Sequence, residues 1–508
     1  MKKIYLGIAA AAMMLTTSCD ADWLEVQNPN GEPLEEYYVN EKTLTEALNA
    51  AYDPIHWPDW GLGQYNALNI DAEIMGDNVW VGGSDKNDMA NWHKLFNYEA
   101  DGNNTFSSLW TVDYSGVKRC NDLLRYLGRD GIKIRDQLKK NYEMQARLLR
   151  VYYYNNLWHY FGNIPFYLEN LTAANGYTAP QLKADEVYAQ LIVELEAVID
   201  SNVLPVRAED KDCGRVTQAL AYMLYAEMAM YQNDKERYGK ALGYMQSLIS
   251  GGQYKLDPDF AHIWTEDGEW CDESIWEINY EDNNNERGWG SPLAVGGTIL
   301  PCLIGPNGWP GGEGFDAGQD GWGFMPVRLE TYNLYEEGDT RRDATIWDVR
   351  GTTYTERYQD THLWVAKYRP ITANLADAGF DSNLNYNNNL RMYRYAETLL
   401  NAAELLLETG GNAGQAAEYV NQVRKRAGIA PLASVTKDDI IEERRLEFVG
   451  EGKRYFDLVR TGLAATVLKP DNYGYRTNSW TPSKKYIPIA ESELSSDPNL
   501  KQNEEYFK

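Results

Sequence analysis

Apolar and small residues recur at helical spacing through the last quarter of this 508-residue chain. Over 394–408 they fall at Tyr395, Leu399, Ala402, Ala403 and Leu406, one face of an amphipathic helix that Gly410 and Gly411 stop. A second run goes from Gln415 through Ala416, Tyr419, Val420 and Val423 to Gly428. Arg424, Lys425 and Arg426 stand at its C-terminal end, where the helix dipole favours cations. A third helix is predicted over 438–449. The same periodicity dominates 105–161 and 185–250, with a shorter helical piece over about 40–52.

Segments 220–252 and 399–428 resemble each other as helix, short loop and helix, with Ala226-Glu227 aligned to Ala403-Glu404 and Ala241 near Ala416. Small residues at these seams let paired helices approach closely, which is how tetratricopeptide-like hairpins stack. The predicted fold class is mainly α: a tetratricopeptide-like helical hairpin scaffold with long loop-rich insertions containing a few short strands. The insertions are 53–104 and 254–391, rich in Gly, Asn, Asp, Pro and aromatics, and loops of that length in a compact protein usually carry function. Extended pieces are expected at 274–280 and 483–489. No linker or low-complexity run divides the chain, so it reads as a single large domain.

Most of the 16 tryptophans lie in the insertions: Trp57, Trp60, Trp80 and Trp92 in the first, and Trp264, Trp270, Trp276, Trp289, Trp309, Trp322, Trp347 and Trp364 in the second. A sugar ring has an apolar C–H face and a rim of hydroxyls, so it calls for a flat aromatic platform with Asp, Asn, Gln or Arg nearby. Asp77 and Asn78 precede Trp80, Asn283 and Arg287 precede Trp289, and Asp316, Gln319 and Asp320 precede Trp322. Trp289 and Trp322 have Gly on both sides and Trp309 lies between Gly308 and Pro310, which favours projecting loops. Trp158 and Trp276 sit in helical and strand contexts and are expected in the core. The candidate ligand-binding residues are therefore Asp77, Asn78, Trp80, Asn283, Arg287, Trp289, Trp309 and Trp322.

The strings RYAETLLNAAELLLE (394–408), IIEERRLEFVGEGKRYFDLVR (440–460) and YIPIAESELSSDPNLKQNEEY (486–506) resemble the SusD/RagB family of surface nutrient-binding lipoproteins. ARLLRVYYYNNLWHYFGNIPFY (146–167), GRVTQALAYMLYAEMAMY (214–231) and ESIWEINY (273–280) follow in the family's order. The chain departs from the family pattern at Ala490, where a second proline is usual, and at Asp497, where asparagine is usual. The resemblance implies a tetratricopeptide-like scaffold, a ligand site on the two insertions, and delivery of the ligand to a SusC-like TonB-dependent outer-membrane transporter.

Lys2 and Lys3 precede an apolar stretch ending in Leu15-Thr16-Thr17-Ser18-Cys19, too short to span a membrane and ordered like a secretory signal. Residues 1–18 read as a lipoprotein signal peptide with Cys19 as the lipid-modified terminus of a 19–508 mature chain. Asp20 and Asp22 resemble the export tag of Bacteroidetes lipoproteins, which implies the outer face of the outer membrane. The net charge of −27 repels nucleic acid and anionic membrane surfaces, so membrane attachment is expected through lipid. Cys120, Cys213, Cys271 and Cys302 lack metal-ligand spacing and read as thiols.

None of the five histidines forms a zinc-protease motif, and there is no nucleophile elbow, phosphate loop or dinucleotide fingerprint; Gly61-Leu62-Gly63 and Gly450-Glu451-Gly452-Lys453 lack the required partners. No cofactor is expected. The runs 101–104 and 282–286 carry oxygen donors of the kind calcium takes, but read as solvated turns. The mixed charges of Glu442-Glu443-Arg444-Arg445 read as an ion-paired helix surface and Arg341-Arg342 as part of a structural turn. The function expected is non-catalytic capture of an oligosaccharide or polysaccharide; the alternatives are a surface glycoside hydrolase and a peptide-binding RagB-type member. Replacing Cys19 by Ala is expected to leave the protein soluble or unprocessed, and protease shaving of intact cells with fractionation is the check: a C19A protein still anchored outside would exclude the lipid assignment.

Overall fold

The computed structural model describes residues 34–175, 178–282, 287–312, 321–375, 377–379 and 381–506. Its frame is a row of helices: α1 (Glu41–Tyr52), then, beyond the short α2 (Leu68–Met75) and α3 (Ala90–Phe96), α4 (Ser107–Leu127), α5 (Asp136–Phe161), α6 (Ala184–Asp200), α7 (Gln218–Gln232), α8 (Tyr238–Gly251), α9 (Tyr395–Glu408) and α10 (Ala413–Arg426). From α4 to α10 each packs on the next in sequence, and α1 packs on α4. Two further helices, α11 (Lys437–Phe448) and α12 (Arg454–Arg460), close over α9 and over α7 with α2. This is the expected mainly α scaffold of stacked hairpins.

The seams are made by small residues. Ala219, Ala226, Ala241, Ala402, Ala403 and Ala416 are fully buried. Between α4 and α5 a glycine is required, because a β-carbon on Gly116 would lie 2.4 Å from the Tyr153 ring. Helix starts are capped by side chains: Asn40 accepts from the amides of Lys42 and Thr43, Thr217 from Leu220, and Thr436 forms a reciprocal box with Asp439.

Both insertions leave this row and return to it at neighbouring helices. Residues 53–104 run between α1 and α4, and residues 254–391 lie between α8 and α9, yet each of these helix pairs is in contact. The loops then pack on each other through isolated bridges, Val79 with Val327 and Gly82 with Phe324. Among the described residues six short strands pair two by two: β1 (Ile164–Pro165) with β2 (Gln181–Leu182), β3 (Ser274–Ile278) with β6 (Leu390–Arg394), and β4 (Ile346–Asp348) with β5 (Leu363–Val365), all antiparallel. β3 is the expected strand, and its Trp276 is in the core, as is Trp158 of α5. Arg394, read from periodicity as helical, instead ends β6. The 483–489 piece is not a strand: a 3-10 turn, Pro482–Lys484, leads into an irregular segment. That segment is tied to the frame by hydrogen bonds from Ile487 N to Tyr160 O and Thr105 Oγ1 to Pro488 O, and Asn503 Nδ2 bridges the two by donating to both Phe161 O and Ile487 O.

Of the charged signature of α11 only Glu442 is exposed; Glu443 and Arg444 are buried, which corrects its reading as a surface. Glu443, Arg444 and Glu447 are almost inaccessible. Glu447 Oε1 accepts from Arg394 Nη1 at 3.0 Å and Arg426 Nη2 at 2.5 Å, and its Oε2 accepts from Arg341 Nη1 at 3.2 Å. Arg394 also reaches Glu273 and Glu451, Arg341 reaches Asp339 and Glu443, and Lys367 donates to Glu451 and to the Glu447 carbonyl. Burial pushes the Glu447 carboxyl up, but Arg426, Arg394 and Arg341 outweigh it and hold the group well below the usual carboxylate range. Arg341 is thus a member of the buried lattice, more than part of a turn.

Among the described residues no helix is long and apolar enough to cross a membrane. Cys120, Cys213 and Cys271 are thiols, the first fully buried in α4. Replacing Glu447 by Gln removes the charge that three guanidinium groups share, and is expected to cost about 3–5 kcal/mol of unfolding free energy. Denaturant titration is the check, with exposed Glu418→Gln in α10 as the control expected to stay within ~0.5 kcal/mol.

Candidate functional site

Where the two insertions meet, four aromatic rings gather at the surface. Trp60 stacks on Tyr65 with centroids 4.4 Å apart and planes 28° from parallel, and meets Trp289 edge-on at 5.6 Å. Trp289 lies nearly parallel to Trp322, at 6.1 Å and 12°, and Tyr65 meets Trp322 edge-on at 5.6 Å. Trp289 is 40% exposed and the other three are half-buried. Rings in this arrangement offer apolar faces and edges to a ligand while their own neighbours fix their orientation.

Each ring is carried by a short loop whose backbone is pinned. Asp59, buried at the end of the turn Asp53–Asp59, receives Arg287 through two hydrogen bonds of 2.6 and 3.1 Å. Its Oδ1 also accepts the Trp60 amide at 2.7 Å and its Oδ2 the Ile299 amide at 3.0 Å. Arg287 further donates to the carbonyls of Trp60 and Pro292, 3.1 and 3.0 Å away, and to that of Gly297. One buried ion pair therefore fixes the chain one residue before Trp60 and two before Trp289. Asp381 Oδ2 takes the Trp289 amide at 3.0 Å.

Gly61 and Gln64 exchange backbone hydrogen bonds of 3.1 Å, making the tight turn that returns the chain to Tyr65. Trp322 is held by its amide to Cys302 O at 2.8 Å and by Arg357 Nη1 to its own carbonyl at 3.0 Å. Gly321 lets that segment lie directly on Gly305, since a β-carbon there would come within 2.1 Å of Gly305 backbone. Burial, with Cys302 and Asp88 nearby, pushes the Tyr65 hydroxyl up to about 12, so it stays protonated and can donate or accept hydrogen bonds at neutral pH.

Of the candidate residues drawn from sequence, Trp289 and Trp322 are brought together here. Burial places Asp77, Asn78, Trp80, Arg287 and Trp309 behind the surface. Arg287 is fully inaccessible and positions the platform instead of facing a ligand. Trp309 packs with Trp347 and Trp364 in a separate small core. Asn78 donates to Glu73 and accepts from Arg445, and Asp77 pairs with Arg454 and Arg445 at 2.8 and 3.0 Å. Trp80 is 3% exposed, with the Arg328 guanidinium 3.8 Å above its ring centroid. Asn283, Asp316, Gln319, Asp320 and Cys19 lie outside the described residues. Asp101, in the first of the two acidic runs, accepts from the Asn103 amide and Asn104 Nδ2, as a turn does.

Sequence reasoning held Trp60, with Trp57 and Trp92, behind the first-choice tryptophans and did not select Tyr65. The signal was present, because Trp60-Gly61-Leu62-Gly63 has the glycine neighbours that drew notice at Trp289 and Trp322. Tyr65 has no such mark.

The sequence profile described as the SusD family matches residues 272–506, and one described as starch-binding associating with outer membrane matches residues 78–212. The chain is similar to surface glycan-binding protein A from Bacteroides uniformis, with 62% identity over 92% of this chain and 100% of that one and a TM-score of 0.85. It is 50% identical to surface glycan-binding protein A from Bacteroides thetaiotaomicron, solved in complex with laminarihexaose, over 91% of this chain and 99% of that one at a TM-score of 0.87. A laminarin-binding SusD-like protein is 29% identical over 92% of this chain and 100% of its own, with a TM-score of 0.82.

Asp77 generates a prediction about stability. Burial raises its carboxyl, but Arg445 and Arg454 outweigh burial and hold it at about 2, below its ordinary 3.8. A depressed folded-state value means stabilisation that is complete above the unfolded value and lost as pH falls through the folded one. Asp77→Asn is therefore expected to lower stability by roughly 2 kcal/mol at neutral pH, a gap that narrows between pH ~4 and ~2. Urea titrations across that range, with glycan binding at neutral pH unchanged, are the check; a gap independent of pH would remove the ion pair as its cause.

Proposed function

The chain belongs to the SusD family, and on that premise we propose that it is a non-catalytic, surface-held glycan-binding protein whose ligand rests on Trp60, Tyr65, Trp289 and Trp322. The observation that carries this reading is the convergence of these rings, from three separate loops, into one partly exposed cluster pinned from behind by the Asp59–Arg287 pair. Sugar C–H faces pack on such rings, and ring orientation fixed before binding reduces the entropy cost of ordering them. Asp88 and Arg357, beside Tyr65 and Trp322, supply polar partners for hydroxyls. The acidic chain has no electrostatic quarrel with a neutral glycan.

The ligand class is a laminarin-type oligosaccharide. Support for it comes from the relative solved with laminarihexaose and from the one described as laminarin-binding. The protein is held at the outer membrane by lipid on Cys19, facing the exterior, and passes its ligand to a SusC-like TonB-dependent transporter; family membership supports both steps.

Titration calorimetry of the mature protein with laminarihexaose tests the site. Trp289→Ala and Trp322→Ala are each expected to lose about 1–3 kcal/mol, roughly tenfold or more in affinity, with melting curves close to wild type. Chromatography of the same mixtures should show the oligosaccharide intact. Wild-type affinity in both variants would move the ligand elsewhere, and cleavage abolished by one carboxylate substitution would make the protein a hydrolase.

A further inference from the structure

Beyond the tryptophan cluster lies a second group of rings, Tyr473 exposed and Tyr358 and Tyr475 half-buried. Tyr473 and Tyr475 are nearly parallel, with centroids 5.8 Å apart and planes 14° from coplanar, and Tyr358 meets Tyr475 at 5.6 Å. Tyr473 is 56% exposed, more than Trp289 of the first cluster. Surface tyrosines are common, but these are built in. Asp471 Oδ1 accepts the amides of Tyr473 and Tyr475 at 2.7 and 3.1 Å, and its own amide bonds to Arg476 O at 3.0 Å, closing a tight turn with Gly474 at φ +74°. Buried Arg476 anchors the turn by donating to Phe96 O and Gly76 O at 2.9 and 2.8 Å. Beneath the pair, Trp80 lies nearly perpendicular to Tyr473 and Tyr475, at 5.5 and 5.1 Å, with the Arg328 guanidinium 3.8 Å over its own ring.

This group adjoins the first without an intervening element. Arg357 donates to the Trp322 carbonyl, and the next residue, Tyr358, donates its amide to Gly83 O at 3.0 Å. Gly83 in turn donates to Gly323 O at 2.8 Å, beside Trp322. A β-carbon on Gly82 would lie 2.1 Å from Gly323 O, so the surface between the two ring groups is close-packed backbone with Arg357 laid over Gly323. Glu330 accepts from the Tyr473 hydroxyl at 3.2 Å, and the Asp85–Asp88 turn stands beside Gly83 through Asp88, which accepts the Ser84 amide. Carboxylates around tyrosine rings disfavour anionic partners and suit a neutral, hydroxyl-rich chain.

We propose that the glycan surface continues from the tryptophan cluster across Arg357 onto a second platform of Tyr358, Tyr473 and Tyr475, which takes a more distant stretch of the same chain. The proposal rests on the glycan-binding reading above. It makes the protein a reader of chain length: short oligosaccharides engage only the tryptophans, and longer chains gain contacts on the tyrosines.

Calorimetry with laminaritriose and with polymeric laminarin separates the two. Tyr473→Ala should weaken laminarin binding by about three- to tenfold and leave laminaritriose binding within ~2-fold, whereas Trp289→Ala should weaken both. Tyr473→Phe, which keeps the ring, should bind laminarin to within about twofold of wild type, and unchanged melting curves show that the fold is kept. Tyr473→Ala and Tyr358→Ala variants that both bind laminarin like wild type overturn the second platform while leaving the first standing. Equal losses for triose and polymer also overturn it, since the tyrosines would then belong to the first cluster. A wild-type protein that binds neither glycan removes the premise and the proposal together.

Discussion

Glu447 is the point on which the frame depends. Charges cannot be buried singly, because the loss of hydration costs more than any one contact returns; they are tolerated when every oxygen and every N–H finds a partner. Here one carboxylate is shared by Arg394 at the end of β6, Arg426 at the end of α10 and Arg341 at the start of a short helix in the second insertion. Those groups belong to segments far apart in sequence, so the pairing forms only when all have arrived. Hydrophobic seams of alanine allow several relative slidings of two helices; a shared carboxylate with fixed donors allows far fewer. The lattice thus selects one register from those the apolar core would accept.

The same device recurs at smaller scale under the binding surface. Asp59 and Arg287 come from different insertions, are both buried, and spend their remaining donors and acceptors on the backbone that carries Trp60 and Trp289. Exposed tryptophans on loops would ordinarily sample many orientations. Fixing the backbone one or two residues away restricts the rings without covering them, which is what a stacking surface needs.

The helices were legible because periodicity is local: a face repeating every three or four residues is visible at Leu399, Ala403 and Leu406 whatever they later touch. The core tryptophans Trp158 and Trp276 were legible for a similar reason. What could not be read is the partner of a charge. Arg287 beside Asn and Glu looks like a ligand residue, and Glu443-Arg444 in α11 looks like a solvated face; only the fold brings Asp59 to the one and Asp457, Glu397 and Arg424 to the others. Strand β6 was hidden because Leu390, Arg391, Tyr393 and Arg394 are all buried, with the arginines paired inside, so no apolar alternation remains. Trp80 and Trp309 failed as candidates for the complementary reason: polar or turn-forming neighbours in sequence say little about which way a loop faces.

The return of each insertion to the helix row beside its point of departure has a consequence for how such a protein can change. Because α8 touches α9 although 254–391 lies between them in sequence, the ends of that excursion are held together by the frame, and lengthening or shortening it adds only a slowly growing closure entropy. Sequence drift in the excursion is then nearly decoupled from the integrity of the helices. Selection can exchange one recognition surface for another on a constant chassis, subject to the few positions, Arg341 and Lys367 among them, through which the excursion is wired into the buried charges.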